Sequence, residues 1–152
     1  MGMADMRLIA RLAVVSALVA SIGAGTLSGM PANGATLRRQ RMLAWVNKAR
    51  VNHGVRPLQM APYVVDLAHD HNLYMARVNK LVHTKDLGSK LRVNWHSWGE
   101  NIGAGTTPWG LFRAYMASPE HRANILDRGF DHVGINFVVR RGIMWSTMDF
   151  YG

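Results

Sequence analysis

At 152 residues, 49% of them hydrophobic and 18% charged, the chain is long enough to enclose one hydrophobic core and too apolar to stay disordered. It has no cysteine, which excludes disulfides, thiolate metal sites, a cysteine nucleophile and a lipid anchor on an N-terminal cysteine. The formal net charge of +9 favours anionic surroundings. Its basic residues are dispersed in short clusters (Arg38, Arg39 and Arg41; Lys85, Lys90 and Arg92; Arg140 and Arg141), which reads as solvated surface and argues against nucleic acid.

Arg7 and Arg11 precede the apolar run LAVVSALVASI, which gives way to Gly23, Gly25, Ser28, Gly29 and Pro31 after about half the roughly 20 residues a membrane span needs. This layout predicts a cleaved signal peptide over residues 1–34, no transmembrane span in the mature chain, and a folded domain over 35–152. Ala32 and Gly34 suit cleavage before Ala35, and Gly23 and Gly25 offer an earlier site. Removal takes two of the 18 basic and one of the nine acidic residues, so the net charge falls only to +8 and the basicity belongs to the domain.

Within the domain, Thr36 can cap a helix whose Met42, Trp45, Val46 and Ala49 recur at helical spacing, with Gly54 as a stop. A full burial of Trp45 is expected from that face. A second helix starts near Pro62, carries Val64, Leu67, Ala68, His71, Met75 and Val78 on one face, and ends before His83. Residues 84–97 show no period and read as a loop. Trp98, Glu100 and Ile102 then alternate with Gly99, Asn101 and Gly103 in a short strand that runs into the turn Gly103-Ala104-Gly105. Residues 108–117 read as helix. Ser118-Pro119-Glu120 restarts a helix, with Ser118 as N-cap, and Gly129 ends it. Val133, Ile135, Phe137 and Val139 alternate, the chain turns through Arg140-Arg141-Gly142, and Ile143, Met144 and Trp145 return as a β-hairpin. The class is α+β, with helices covering a small antiparallel sheet.

Three polar residues stand out. Glu100 shares its strand face with Trp98 and Ile102, so its carboxylate needs a donor, a cation or a metal, and amides of the neighbouring glycine-rich turn would serve as well. His121 falls in the first turn of its helix, where the dipole favours the neutral imidazole that ligates metal or accepts a proton; a surface histidine beside Arg122 is the plainer reading. His83 is by itself a loop histidine. His71 reads as a satisfied core residue, and His53, His69, His96 and His132 as loop or surface positions. No HExxH, GxSxG, Walker or GxGxxG pattern is present, so a hydrolytic triad has no support of its own.

In chain order, Asn47-x-x-Arg50, Gly54-x-x-Pro57-Leu58, Ala68, Met75, His83, Gly99-Glu100-Asn101-Ile102, Ser118-Pro119-Glu120-His121-Arg122-x-Asn124-Ile125-Leu126 and Val133-Gly134 together resemble the bacterial branch of the CAP, or SCP-like, family (cysteine-rich secretory proteins, antigen 5 and pathogenesis-related 1 proteins). The resemblance covers residues 37–152. It implies an α-β-α sandwich with a three-stranded antiparallel sheet and a cleft in which His83, Glu100 and His121 hold zinc or another divalent cation. Many animal members carry a second cleft glutamate on the helix after the GENI-type motif, whereas residues 107–117 here contain no acid. That departure favours a secreted, non-enzymatic binding module for an extracellular lipid, glycan or anionic envelope polymer. A divalent-metal-dependent hydrolase using the His/Glu cleft is the alternative.

Overall fold

The computed structural model describes residues 32–152. The expected signal segment lies outside them except for its last three residues, which form the first turn of helix α1 (Ala32–Asn52). That helix starts four residues before Thr36, so Thr36 is an interior position and accepts a hydrogen bond from Arg39 through Oγ1 rather than capping. There follow β1 (Gln59–Met60), α2 (Pro62–Val78), α3 (Leu87–Lys90), β2 (Trp98–Gly105), α4 (Pro108–Ala117), α5 (Pro119–Ile125), β3 (His132–Arg140) and β4 (Ile143–Tyr151).

The sheet has the order β1-β3-β4-β2. Its three long strands are antiparallel, as expected, and the two-residue β1 adds a fourth, parallel strand beside β3 through Gln59↔His132 and Met60↔Val133. A pair this short has no period of its own in the sequence. The β3–β4 hairpin closes over Arg141 and Gly142, both at positive φ (52° and 77°), the geometry of a two-residue turn matched to strand twist. Strand β4 extends well past Trp145, to Tyr151.

Strand alternation divides the burial between two faces. One face sends Val133, Ile135, Phe137, Met144, Met148 and Phe150 against Met42 and Val46 of α1, Leu111 and Tyr115 of α4, and Ile125 of α5. Met42 and Val46 have no exposed surface, worth about 1.5–3 kcal/mol each in hydrophobic burial. Trp45 is only partly buried, on the rim of this core, where it packs edge-on to Trp109.

The other face lies under α2 and α3 and has two smaller apolar clusters, one around Val64, Leu87 and Leu91, the other around Met75, Ile102 and Trp145. Helix α2 comes closest to the sheet at Gly134, where a Cβ would stand 2.3 Å from the Val64 carbonyl carbon; only glycine fits there. The segment expected as a loop contains α3, whose Leu87 and the following Leu91 are fully buried four residues apart. The helices therefore flank the sheet on both faces, in the α+β sandwich expected from the sequence.

Candidate functional site

Strand β2 is an edge strand, and the polar residues singled out in the sequence gather along it from both sides. On the α2 side, Asn79 takes the left-handed conformation after α2 and returns its N–H to Met75 O, which turns the chain back toward β2. Residues 82–84 then reach Glu100. Its Oε1 accepts from His83 Nδ1 at 2.6 Å and from the Thr84 amide at 2.8 Å, and its Oε2 accepts from Thr84 Oγ1 at 2.6 Å. An ionised Glu100 only accepts, so His83 Nδ1 carries a proton. Burial alone would raise the Glu100 pKa, but the His83 and Thr84 hydrogen bonds, with the nearby His71, outweigh it and hold the carboxyl below its ordinary range.

His71 is the buried core residue expected, its Nε2 bonded to Val82 O at 2.7 Å. The same nitrogen lies 3.9 Å from Glu100 Oε2, so His71 also belongs to the cluster. On the other side of β2, Asn124 donates to Glu100 O and Asn101 Oδ1, and Asn101 donates to His121 O. These amides fix α5 against the strand. Ser118 makes no side-chain cap; its hydroxyl instead meets His121 Nδ1 at 2.8 Å and makes a longer 3.5 Å contact to Glu120. The other ring nitrogen, His121 Nε2, is buried with no hydrogen-bond partner. His121 is held below its usual pKa first by burial and then by His83, against a weaker pull from Glu120. The expected neutral state is thus reached through burial.

Sequence reasoning missed Asp149. It sits directly across from Glu100 in the β2–β4 ladder, has no exposed surface, and neither of its carboxyl oxygens has a donor. Burial first, and the Glu100 charge and hydrogen bond next, raise its pKa well above the carboxylate range, with Lys90 opposing. Three of the roughly four lone-pair directions on Glu100 are already filled. Neighbouring buried carboxyls disfavour a second charge, and the raised pKa makes Asp149 the neutral member of the pair. The signal was the hairpin register: extending the return strand past Trp145 places Asp149 level with Gly134. Thr84 had no signal beyond its place next to His83.

Among the described residues no group of three or more histidine and acidic side chains is arranged to hold a metal ion. Both Glu100 oxygens accept hydrogen bonds from His83 and Thr84. The unpartnered His121 Nε2 fits a metal, and the His83 that Glu100 orients through Nδ1 has the support a ligating histidine ordinarily receives.

A model of the cysteine-rich secretory protein family, CAP, matches residues 43–148. The chain belongs to the CAP family. It is 29% identical over 121 residues to the uncharacterized protein YkwD of Bacillus subtilis, an alignment covering 74% of this chain and 46% of that protein; the chain thus spans about half the length of this curated relative. Its fold is similar to that of an extracellular protein containing a SCP domain from Bacillus anthracis (TM-score 0.70, 22% identity, 82% of this chain and 44% of that one). It is also similar to an outer surface protein of Borrelia burgdorferi (TM-score 0.69, 12% identity, 76% and 92%). Among the described residues no helix of this CAP domain is long and apolar enough to cross a membrane.

Proposed function

We propose that this CAP domain is exported and acts as a non-enzymatic binding module for a lipid, glycan or anionic polymer of the cell envelope. The observation that carries the reading is the state of Glu100. Its oxygens accept from His83 and Thr84, and its pKa is held down. A general base works best with a pKa near the operating pH and a free path to the proton it removes. Glu100 has neither, so the cluster serves to hold the His83 and His121 imidazoles in fixed orientation beside β2. The extracellular and outer-surface relatives and the basic, apolar, then small-residue N-terminal segment support export.

A divalent cation such as zinc would be held by the His83 and His121 imidazoles, with Glu100 orienting His83 and water completing the shell; bound there it would supply a Lewis-acidic contact for a ligand oxygen. Protein recovered from culture medium, extracted and analysed by mass spectrometry, should carry a co-purifying envelope component and a new N-terminus at residues 25–35. Zinc-dependent turnover of an ester or glycan, lost in both Glu100→Gln and His121→Ala, would overturn the binding reading in favour of a hydrolase.

A further inference from the structure

Helices α1 and α4 pack against each other, and neither contains an acidic residue. Three aromatic rings meet between them. Trp45 of α1 stands edge-on to Trp109 with centroids 5.0 Å apart and lies 6.0 Å from Phe112, and Trp109 stacks on Phe112 at 5.5 Å with 28° between the planes. Trp45 and Phe112 are partly buried against the core, whereas Trp109 is 48% exposed. Its position is set locally: Thr107 caps α4 by accepting from the Gly110 amide at 3.1 Å, and Pro108 opens the turn that Trp109 occupies. The indole is thus an open ring already held in place by two others, so little freedom is lost when a ligand covers it.

The charge around this ring is one-sided. Arg41 and Lys48 lie four residues before and three after Trp45, and Arg113 lies four after Trp109, so each cation stands one helical turn from a ring of the cluster. All three are exposed, and none is paired with an acidic side chain. A guanidinium fork matches two oxygens of a carboxylate or phosphate, and an indole face attracts the C–H face of a sugar ring by dispersion and through its π electrons. Like charge disfavours a second copy of this chain on the same surface. A bilayer is disfavoured for another reason, since interfacial binding scales with the apolar area buried. Trp109 is the one exposed ring of the cluster; Leu37 and Val51, the exposed large apolar residues of α1, stand about 12 and 9 Å along the axis from Trp45.

We propose that the face formed by α1 and α4 binds an anionic polysaccharide, with a sugar ring stacked on Trp109 and the carboxylates or phosphates of the polymer paired with Arg41, Lys48 and Arg113. This face is distinct from the Glu100 cluster: the α4 ring that touches His121 is Tyr115, on the buried side of the helix. The proposal rests on the binding reading above for the kind of ligand, and it assigns that ligand to a surface where neither Glu100 nor a metal takes part.

The test is calorimetric titration of the full chain with a galacturonic acid hexamer (charged rings), maltohexaose (neutral rings), hexaglutamate (charge without rings) and phosphatidylglycerol vesicles. The galacturonate should bind at least about tenfold more tightly than each of the others, the scale of one charge-assisted hydrogen bond. Trp109→Ala and Arg41→Gln/Arg113→Gln should each lose at least about tenfold in galacturonate affinity, and Trp109→Phe, which keeps a ring, should recover most of the first loss. All of these side chains are exposed, so the variants keep the fold, as melts followed by circular dichroism will show. A control, Lys80→Gln/Lys85→Gln, removes the same charge beside α2 and should bind as the wild type does. Affinity should be equal in EDTA and in zinc; an affinity that depends on zinc would place the polymer at His83 and His121, which overturns this surface and leaves the binding reading standing. Equal or tighter binding of hexaglutamate, maltohexaose or vesicles, an equal loss in the control, unchanged affinity in Trp109→Ala, or no binding of the galacturonate would also overturn the proposal.

Discussion

Arg50 has no exposed surface, and its guanidinium donates to four backbone carbonyls: Arg56 O at 2.6 Å, Ile125 O at 2.8 Å, Asp127 O at 3.0 Å and Phe130 O at 2.7 Å. It therefore ties α1 to the chain on either side of the loop between α5 and β3, and so to the helix that carries His121. Replacing it with methionine keeps much of the volume and removes every one of these bonds. A hydrogen bond to a charged group contributes about 1.5–3 kcal/mol, which for four bonds exceeds what will be observed, because the variant no longer desolvates a buried cation and some carbonyls find water. The expected loss for Arg50→Met is about 3–5 kcal/mol, a large part of the roughly 5–15 kcal/mol that holds a domain together. Urea and thermal melts followed by circular dichroism should show it as a fall in Tm of about 10–20 °C. Arg50→Lys keeps the charge but presents it as a point and should recover less than half of the loss. A decrease below about 1 kcal/mol for Arg50→Met would refute the reasoning, since it would mean that the carbonyls are satisfied without the guanidinium.

Trp45→Ala should cost about 1–2 kcal/mol, below the 3–5 of a fully buried aromatic, because the ring sits on the core rim against Trp109 and Phe112; a loss above 4 in a urea melt would mean that the rim is rigid core. Gly134→Ala, with its Cβ 2.3 Å from the Val64 carbonyl carbon, should cost more than about 3 kcal/mol or abolish folding, because α2 has to lift off the sheet; a soluble variant with unchanged Tm would refute the close approach. Asp149→Asn should become increasingly stabilising, relative to wild type, as pH rises from 5 to 9. The folded-state pKa of Asp149 lies above its unfolded value, so wild type loses stability as pH climbs from the unfolded value through the folded one, while Glu100, shifted the other way, is already ionised across this interval and adds no slope. A Tm difference that is flat or shrinks with pH would show that Asp149 is ionised in the fold.

The long elements were legible because their burial has a period. Pro62 marks the start of α2, and Val64, Ala68, His71 and Met75 are buried along it as spaced. The face was less complete at its ends, where Val78 is 42% exposed beside the left-handed turn at Asn79. What the period could not reveal is pairing between distant segments. Leu87 and Leu91 are four residues apart, but a single turn of helix gives too few positions to count. Ser118 looks like a cap, but its hydroxyl meets the ring of His121 three residues on instead of a backbone amide, a choice between two equally local partners that residue type does not decide. The motif residues Asn47 and Arg50 prove to be backbone staples, Asn47 holding both the N–H and the carbonyl of Leu58, a role that no local pattern encodes.

The sheet explains why the site forms at β2. On the face toward α1, α4 and α5, β3 and β4 present mostly large apolar side chains, and that cluster is the largest. On the face toward α2 one level of the ladder runs Gly134, Asp149, Glu100 and the next Asn136, Thr147, Ile102, with Thr147 donating to Asn72 of α2 at 2.8 Å. Such a polar layer between two apolar clusters costs stability unless its groups satisfy one another. Gly134 is filled by α2 backbone, burial beside Glu100 keeps Asp149 neutral, and Glu100, at the sheet's edge, is the first member with His83 and Thr84 available from outside the ladder. The layer's negative charge thus rests on Glu100 at the edge strand, where His83 and Thr84 meet it. Had β2 been an inner strand, a further strand would occupy that edge and the same carboxylate would have no route to His83.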